Sequence, residues 1–310
     1  MVRLLLTRLI GLIAVLLALS FLGDALVFLA PGDPAVLIAE RQMGGQLPTP
    51  EYVAQLRAEF GWDQPPIIQY CVWLGQVVQG NLGFSIRTGK PILQEIQARL
   101  GRSLLLGGLT TSVVMIVGIP AGFLAAWREN SFWDHATRMF ATLGVAIPNF
   151  WLAFVLILIF SMYLNWLPTH GIGSLRHLVL PIACLGFNDT ARLSRLARSE
   201  FLGVQHEEYL LAARAKGLTR RMALIRHGFA NIAVTLVALI ATQFGSIVAG
   251  VFVVETIFSW PGIGQYFVMA VQYRDIPAIQ ACFLLFGMIF SLVNALADII
   301  FMAIDPRIRP

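Results

Sequence analysis

Charge is scarce in this chain. Only 13% of its 310 residues are Asp, Glu, Lys or Arg, while 57% are hydrophobic. Soluble domains carry about 25% charged and 45–50% apolar residues. That deficit, with several apolar runs of about 20 residues, excludes an ordinary soluble domain and predicts a polytopic membrane protein. Cysteine is scarce as well. Of Cys71, Cys184 and Cys282, the last two fall inside apolar segments, so no disulfide framework or Cys-based metal site is expected. His-Glu-x-x-His, Gly-x-Ser-x-Gly and a glycine-rich loop ending in Lys-Ser/Thr are all missing. No catalytic residue is therefore assigned. The chain is not expected to be an enzyme or to hold a cofactor, and the energy for any work it does must come from a partner or a gradient. His135, His170, His177, His206 and His227 are scattered and define no metal site. The net charge of +5 reads as loop bias in a lipid bilayer, not as nucleic-acid binding.

What is present falls into six apolar segments and their connections. Arg3 and Arg8 lead into an apolar run from Leu9 to Ala30, too long for a typical signal-peptide core and read as a first membrane helix with a cytoplasmic amino end. Asp24 sits inside it. A carboxylate at mid-membrane costs about 2.5–3.5 kcal/mol on insertion scales, so Asp24 should face protein or a water-filled pathway. Pro31-Gly32-Asp33-Pro34 breaks the helix. Residues 31–103 read as an external helical subdomain, with helices from Pro50 to Phe60 and from Ile67 to Val78. Leu104 to Trp127 is the second span. Phe140 to Leu164 is the third, interrupted by Pro148-Asn149, where proline frees a carbonyl and Asn149 is a candidate pathway residue.

The fourth segment is ambiguous: Leu178 to Phe187 is apolar, but Asn188, Asp189, Arg192, Arg195 and Arg198 follow. Topology decides the matter. Arg192 to Ala230 holds eight Lys/Arg against three Asp/Glu. With six spans, the short cytoplasmic pieces carry fourteen of the cations and the two short external loops carry two, Arg176 and Arg274. The positive-inside rule thus predicts six spans with both chain ends in the cytoplasm. Asn188 and Asp189 are candidate pathway or gate residues, and the three arginines are expected to snorkel at the cytoplasmic interface. Ile232 to Val254 is the fifth span, where Gly245 and Ala249 offer a small-residue packing face. Ile279 to Ile304 is the sixth. The expected organisation is span 1 within 1–30, an external subdomain over 31–103, a core over 104–306 that includes a cytoplasmic loop at 200–231, and a tail at 307–310.

The loop from Glu207 to Asn231 is the most informative stretch. Glu208 to Lys216 suits a short helix, and Gly217 ends it. Leu218, Met222, Ile225 and Phe229 then share one apolar face. Ala212, Ala213 and Ala215 lie near the bend and let a partner approach closely. Two short helices bent at a glycine make a compact knob; a juxtamembrane helix lying on anionic lipid would use the same residues.

This loop resembles the EAA loop of binding-protein-dependent ABC importer permeases, with Leu211-Ala212-Ala213 and Gly217 in place of Glu-Ala-Ala and its glycine. Tyr209 and Ala213-Arg214-Ala215-Lys216-Gly217-Leu218 match the peptide branch. His227-Gly228-Phe229-Ala230-Asn231 departs from the usual pattern by carrying Ala230 in place of arginine. Resemblance to the dipeptide/oligopeptide/nickel branch covers nearly the whole chain. It includes Pro31-Gly32-Asp33-Pro34-Ala35, Gly80-Asn81-Leu82-Gly83-Phe84-Ser85, Glu255 to Gly264, and Arg274-Asp275-Ile276-Pro277. Pro148 to Ala153 and Pro48-Thr49-Pro50-Glu51 look like nickel-type members.

The resemblance implies an all-α permease of the type I ABC importer fold, with six transmembrane helices and an external subdomain between spans 1 and 2, in a bacterial or archaeal cytoplasmic membrane. It implies as partners a second homologous permease, two ATPase subunits that bind ATP and Mg, and an external substrate-binding protein. Glu208, Tyr209, Ala212, Ala213, Arg214, Lys216, Gly217 and Leu218 would form the ATPase-coupling element. Trp260, Pro261 and Gly262 would meet the binding protein. The solute would be a di- or oligopeptide or a related small molecule, with nickel or a metal chelate as the alternative. A secondary transporter is the rival of a different class; it would be expected to show broken-helix repeats and paired intramembrane ionisable groups.

Overall fold

The structure is a computed structural model and describes residues 2–29, 33–43, 46–204, 207–223, 228, 232, 235–236 and 250–304. Most of the expected fifth span (Gly245 and Ala249 included), the loop from 224 to 227, Ala230-Asn231 and the tail lie outside the described residues, as do the side chains of Asp24 and Arg214. The described residues are helices joined by turns, with one isolated β-bridge between Phe84 and Pro91. The chain divides into two compact units, Met1–Leu100 with Tyr266–Ser291, and Gly101–Gln265 with Leu292–Pro310.

The first unit contains α1 (Val2–Leu29), α2 (Pro34–Gln42), α3 (Pro50–Phe60), α4 (Pro66–Val78), the start of α5 (Ile92–Trp127), most of α12 (Ile263–Gln272) and α13 (Ile276–Ile304) up to Ser291. Local chemistry sets the boundaries of α3. Thr49 accepts a hydrogen bond from the Tyr52 N–H, Pro50 opens the first turn, and Gly61 closes the helix in the left-handed region at φ 69°. Helices α2 and α3 bury Ala35, Ile38, Ala39, Val53 and Leu56 against one another. Asp33 accepts from the Ala35 N–H at 3.0 Å and pairs with Arg57.

The second unit holds the rest of α5, α6 (Phe132–Ala146), α7 (Asn149–Leu156), which runs on as a π-helix over Ile157–Tyr163, and α8 (Arg176–Val204). Then come α9 (Glu208–Ala215), α10 (Arg220–Ala223) and the helical residues 250–257 (α11). Helix α8 is the central element. Leu178, Leu180, Cys184 and Leu185 join Leu106, Ala153, Val254 and Phe258 in one core, and Leu193, Ala197 and Phe201 join Val114 and Ala126 in another. The ambiguous fourth segment is thus one continuous helix. One face of its polar half is enclosed by protein: Asp189, Thr190 and Ser194 are buried.

That enclosure depends on missing side chains. A Cβ at Gly144 of α6 would lie 2.2 Å from the Ala191 Cβ. One at Gly122 of α5 would lie 2.5 Å from the Ser194 carbonyl oxygen and 2.8 Å from the Arg198 nitrogen. Asp134, fully buried near the start of α6, then accepts two hydrogen bonds from the Arg198 guanidinium, at 2.5 and 2.8 Å, and one from the Asn130 N–H at 2.9 Å. Arg198 is therefore an ion-pair partner of α6 and not a snorkelling side chain; Arg192 and Arg195 remain exposed.

Two expected spans have different bounds. Helix α5 begins at Ile92, ahead of Leu104, because Glu95 and Arg99 pair within one turn and Arg99 stacks over the Tyr266 ring. It continues through Pro120 to Trp127. The third segment is not straight: α6 and the 149–163 helix meet at 106°. Proline at 148 disfavours helical backbone at Ile147, which is extended at ψ 121°. Among the described residues, Ile92–Trp127 and Ile276–Leu296 are each long and apolar enough to cross a membrane, and the bent pair makes a third if it counts as one span.

Gly122→Val should lower the melting temperature of the purified protein, with a cost of about 1–3 kcal/mol for overpacking. Gly108→Val, where a Cβ meets nothing within 4 Å, should leave it within about 0.5 kcal/mol. The Arg198 guanidinium holds the Asp134 carboxyl below the ordinary 3.8, ahead of the Asn130 N–H and Arg138 as causes and against the desolvation that raises it. A carboxylate with a lowered native pKa contributes stability that is complete above its unfolded pKa and lost as pH falls through the native one. The stability difference between wild type and Asp134→Asn should therefore be constant above about pH 5 and shrink only in stronger acid, read by thermal melts across pH.

Candidate functional site

The knob is built by α9, Gly217 and α10. The α9 sequence, EYLLAARA, is composed largely of strong helix formers. It closes through a hydrogen bond from the Leu218 N–H to the Ala213 carbonyl at 3.3 Å, with Gly217 at φ 94°. This is the Schellman pattern, and the apolar contact that accompanies it is Leu218 against the cluster holding Ala213. Thr219 then caps α10, accepting from the Met222 N–H at 3.3 Å.

The knob has two sides. Leu210, Ala213 and Ala223 are buried together, against Phe123 of α5 and Val204 at the end of α8. Glu208, Tyr209, Leu211, Ala212, Ala215, Lys216 and Gly217 are exposed. Of the three alanines expected to let a partner approach closely, Ala212 and Ala215 face outward; Ala213 is spent on the core. Leu211 and Met222 are apolar yet about half exposed, at 52% and 54%. Ile225 and Phe229, which with Leu218 and Met222 make the apolar face expected from spacing, lie outside the described residues.

The four pathway candidates are only partly brought together. Asn188 of α8 donates to the Ile147 carbonyl at 3.4 Å, and the Cys184 thiol donates to the Asn149 carbonyl at 3.3 Å. These α8 groups take up carbonyls at the α6–α7 bend. Among the described residues, Asn188 Oδ1 and Asn149 Oδ1 are buried with no hydrogen-bond partner. Asp189 is buried next to Asn188 in sequence. Asp24 is in α1, and its side chain lies outside the described residues.

The third candidate region turns inward. Trp260 is only 5% exposed and donates its indole N–H to the Arg102 carbonyl at 3.3 Å; Gly262 is buried and Pro261 half-buried. The chain here wraps a buried carboxylate that spacing alone did not single out. Glu255 accepts from the Ser103 hydroxyl at 2.5 Å and from the Gln265 N–H at 3.1 Å, and Ser103 in turn accepts from the Ile263 N–H at 2.8 Å. A Cβ at Gly262 would fall 2.0 Å from the Glu255 carboxylate, which explains the glycine. In the first unit, Asp275 makes a comparable cradle. It accepts from the Ser85 hydroxyl and from the Ile86 and Arg87 N–H groups at 3.0 and 3.1 Å. Two stretches noted separately in the sequence, Gly80 to Ser85 and Arg274 to Pro277, are thus halves of one structure. Both acids stand inside motifs that carry the family resemblance, but nothing in the spacing marks either as buried.

Residues 118–310 match the family described as binding-protein-dependent transport system inner membrane component, and residues 1–104 match its N-terminal counterpart. The chain is 37% identical over 302 residues to the glutathione transport system permease protein GsiC of Escherichia coli K12, covering 97% of each. It is 36% identical over 317 residues to a putative peptide transport system permease protein of Brucella abortus strain 2308, covering 100% of this chain and 99% of the relative. A chain of the MetNI methionine ABC transporter, in an inward-facing conformation, superposes with a TM-score of 0.57 at 16% identity over 69% of this chain and 97% of that one, a likeness of fold. Signature motifs that meet in space, a glycine-bent knob and full-length similarity lead to one conclusion: the chain belongs to the binding-protein-dependent inner-membrane transport components, in the dipeptide/oligopeptide/nickel-type branch of ABC permeases.

Proposed function

We propose that this chain forms one half of a translocation pathway for a small peptide or glutathione-like solute and couples it to ATP hydrolysis on separate subunits. A second homologous permease, two ATPases that bind ATP and Mg, and an external binding protein complete the assembly, which crosses the membrane six times per permease with both ends of this chain in the cytoplasm. The observation that carries this reading is the two-sided knob. Its inner side is fixed to α5 and α8 through Phe123 and Val204, while its outer side presents Leu211, Ala212 and Ala215 to a partner groove. Closure of an ATPase dimer around that outer side moves the knob, and the knob moves the helices it is packed on. The full-length relatives named for glutathione and for peptides favour that solute class over nickel.

Leu211→Asp changes an exposed side chain, so it should leave folding and basal ATP hydrolysis of the assembled complex intact while abolishing solute-stimulated hydrolysis. Gly217→Pro, which demands φ near −65° where the chain has 94°, should also abolish stimulation, by disrupting the turn of the knob. Retained stimulation in both variants refutes the coupling role. In vesicles, glutathione or short peptides should stimulate hydrolysis only with the binding protein and ATP present. Stimulation by nickel alone would replace the peptide reading, and uptake driven by an ion gradient without ATP would replace the ABC mechanism.

A further inference from the structure

Helix α4 does not behave as part of a water-soluble subdomain. Its sequence, PIIQYCVWLGQVV, contains no charged residue, and none of its residues is buried. Ile67, Cys71, Leu74 and Val78 recur at intervals of four, three and four, one stripe of a helix. Ile67 is 66% and Val78 81% exposed, Cys71 is exposed and Leu74 half-buried. The polar side chains of α4 lie elsewhere: Gln69 and Gln76 line a cavity of about 500 Å³ that α4 shares with α3 and the start of α13.

The position of α4 along α1 identifies what covers the stripe. The Tyr70 hydroxyl lies 2.7 Å from Ser20 Oγ and donates to the Leu17 carbonyl at 3.3 Å, and the Tyr70 ring meets Phe21 edge-on at 5.7 Å. Leu17 is twelve residues from the end of α1 at Leu29, about 18 Å at the rise of an α-helix. A hydrocarbon core is about 30 Å thick, so α4 touches α1 within the core and not above it. At that depth a tyrosine hydroxyl must find a partner inside the protein, and Tyr70 finds one on α1. Exposed Ile10, Ile13, Leu17, Phe21 and Leu22 make the outer surface of α1 apolar too, so the stripe continues a lipid-facing surface.

We infer that α4 is immersed in the leaflet around the carboxyl half of α1, with Ile67, Cys71, Leu74 and Val78 against lipid acyl chains. The inference rests on the reading of α1 as a membrane span. The cavity behind α4 then lies between this lipid-facing helix and the polar part of the first unit.

Cys71 offers a native probe. The full-length chain, co-expressed with its partner subunits, is labelled at Cys71 with bimane and reconstituted in phosphatidylcholine/phosphatidylglycerol vesicles. Doxyl groups on the lipid acyl chains should quench the emission, and aqueous iodide should not. Quenching by iodide alone places α4 in water and overturns the inference. Quenching by neither places the stripe against a protein partner and overturns it as well. A bimane at Leu22→Cys separates the two layers of the argument. If acyl-chain quenchers reach position 22 but not Cys71, only the placement of α4 fails; if they reach neither, the reading of α1 as a lipid-facing span fails first.

Discussion

The second unit depends on backbone-distance contact with α8. That helix carries Asp189, Thr190, Ser194 and Arg198 through a segment that lipid would penalise, so protein has to surround it. Surrounding it at ordinary helix separations would leave gaps. Gly122 on α5 and Gly144 on α6 remove the side chains that would hold the helices apart, and Ala191 and Ala197 on α8 complete the fit. Asp134 then reaches Arg198 and converts a partly buried arginine from a liability into a cross-link between α6 and α8. With α6 held there, the chain can turn through 106° at Pro148, where the Asn149 and Ile147 carbonyls accept from Cys184 and Asn188.

Much of this was legible in the sequence where the cause is local. Pro148 stops a helix by lacking an N–H, Gly217 turns the chain because it tolerates φ of 94°, and Thr49-Pro50 starts α3 by capping. The type and order of the helices follow from such signals. Relations across the chain were not legible. Nothing in the spacing of Arg192, Arg195 and Arg198 indicates which of them meets an acid 64 residues away, since all three recur on nearly one face. Ala212 and Ala213 are adjacent and chemically identical, yet one faces out and the other fills the core. That choice is made by Phe123 and Val204, which sequence alone does not place beside the loop.

The same limit explains the two buried carboxylates. Glu255 and Asp275 stand in the sequence as single acids next to turns, a pattern shared by many solvated loops. In the structure each gathers N–H and hydroxyl donors from a distant segment, Ser103 in one case and Ser85 to Arg87 in the other. Two residues of the quoted motifs are accounted for by these carboxylates: Gly262 makes room for Glu255 and Ser85 donates to Asp275. The motifs are therefore the visible parts of polar clasps whose other halves lie far along the chain.

Helix α5 touches both the knob and one of those clasps. Phe123 lies against the knob and Ser103 against Glu255, separated by roughly 30 Å of helix at 1.5 Å per residue. A helix is stiff along its axis, and this one is softened at a single interior point, Pro120, one turn from Phe123. Under the proposed coupling, α5 is the element that joins the knob to the far clasp, a push-rod with a joint near one end.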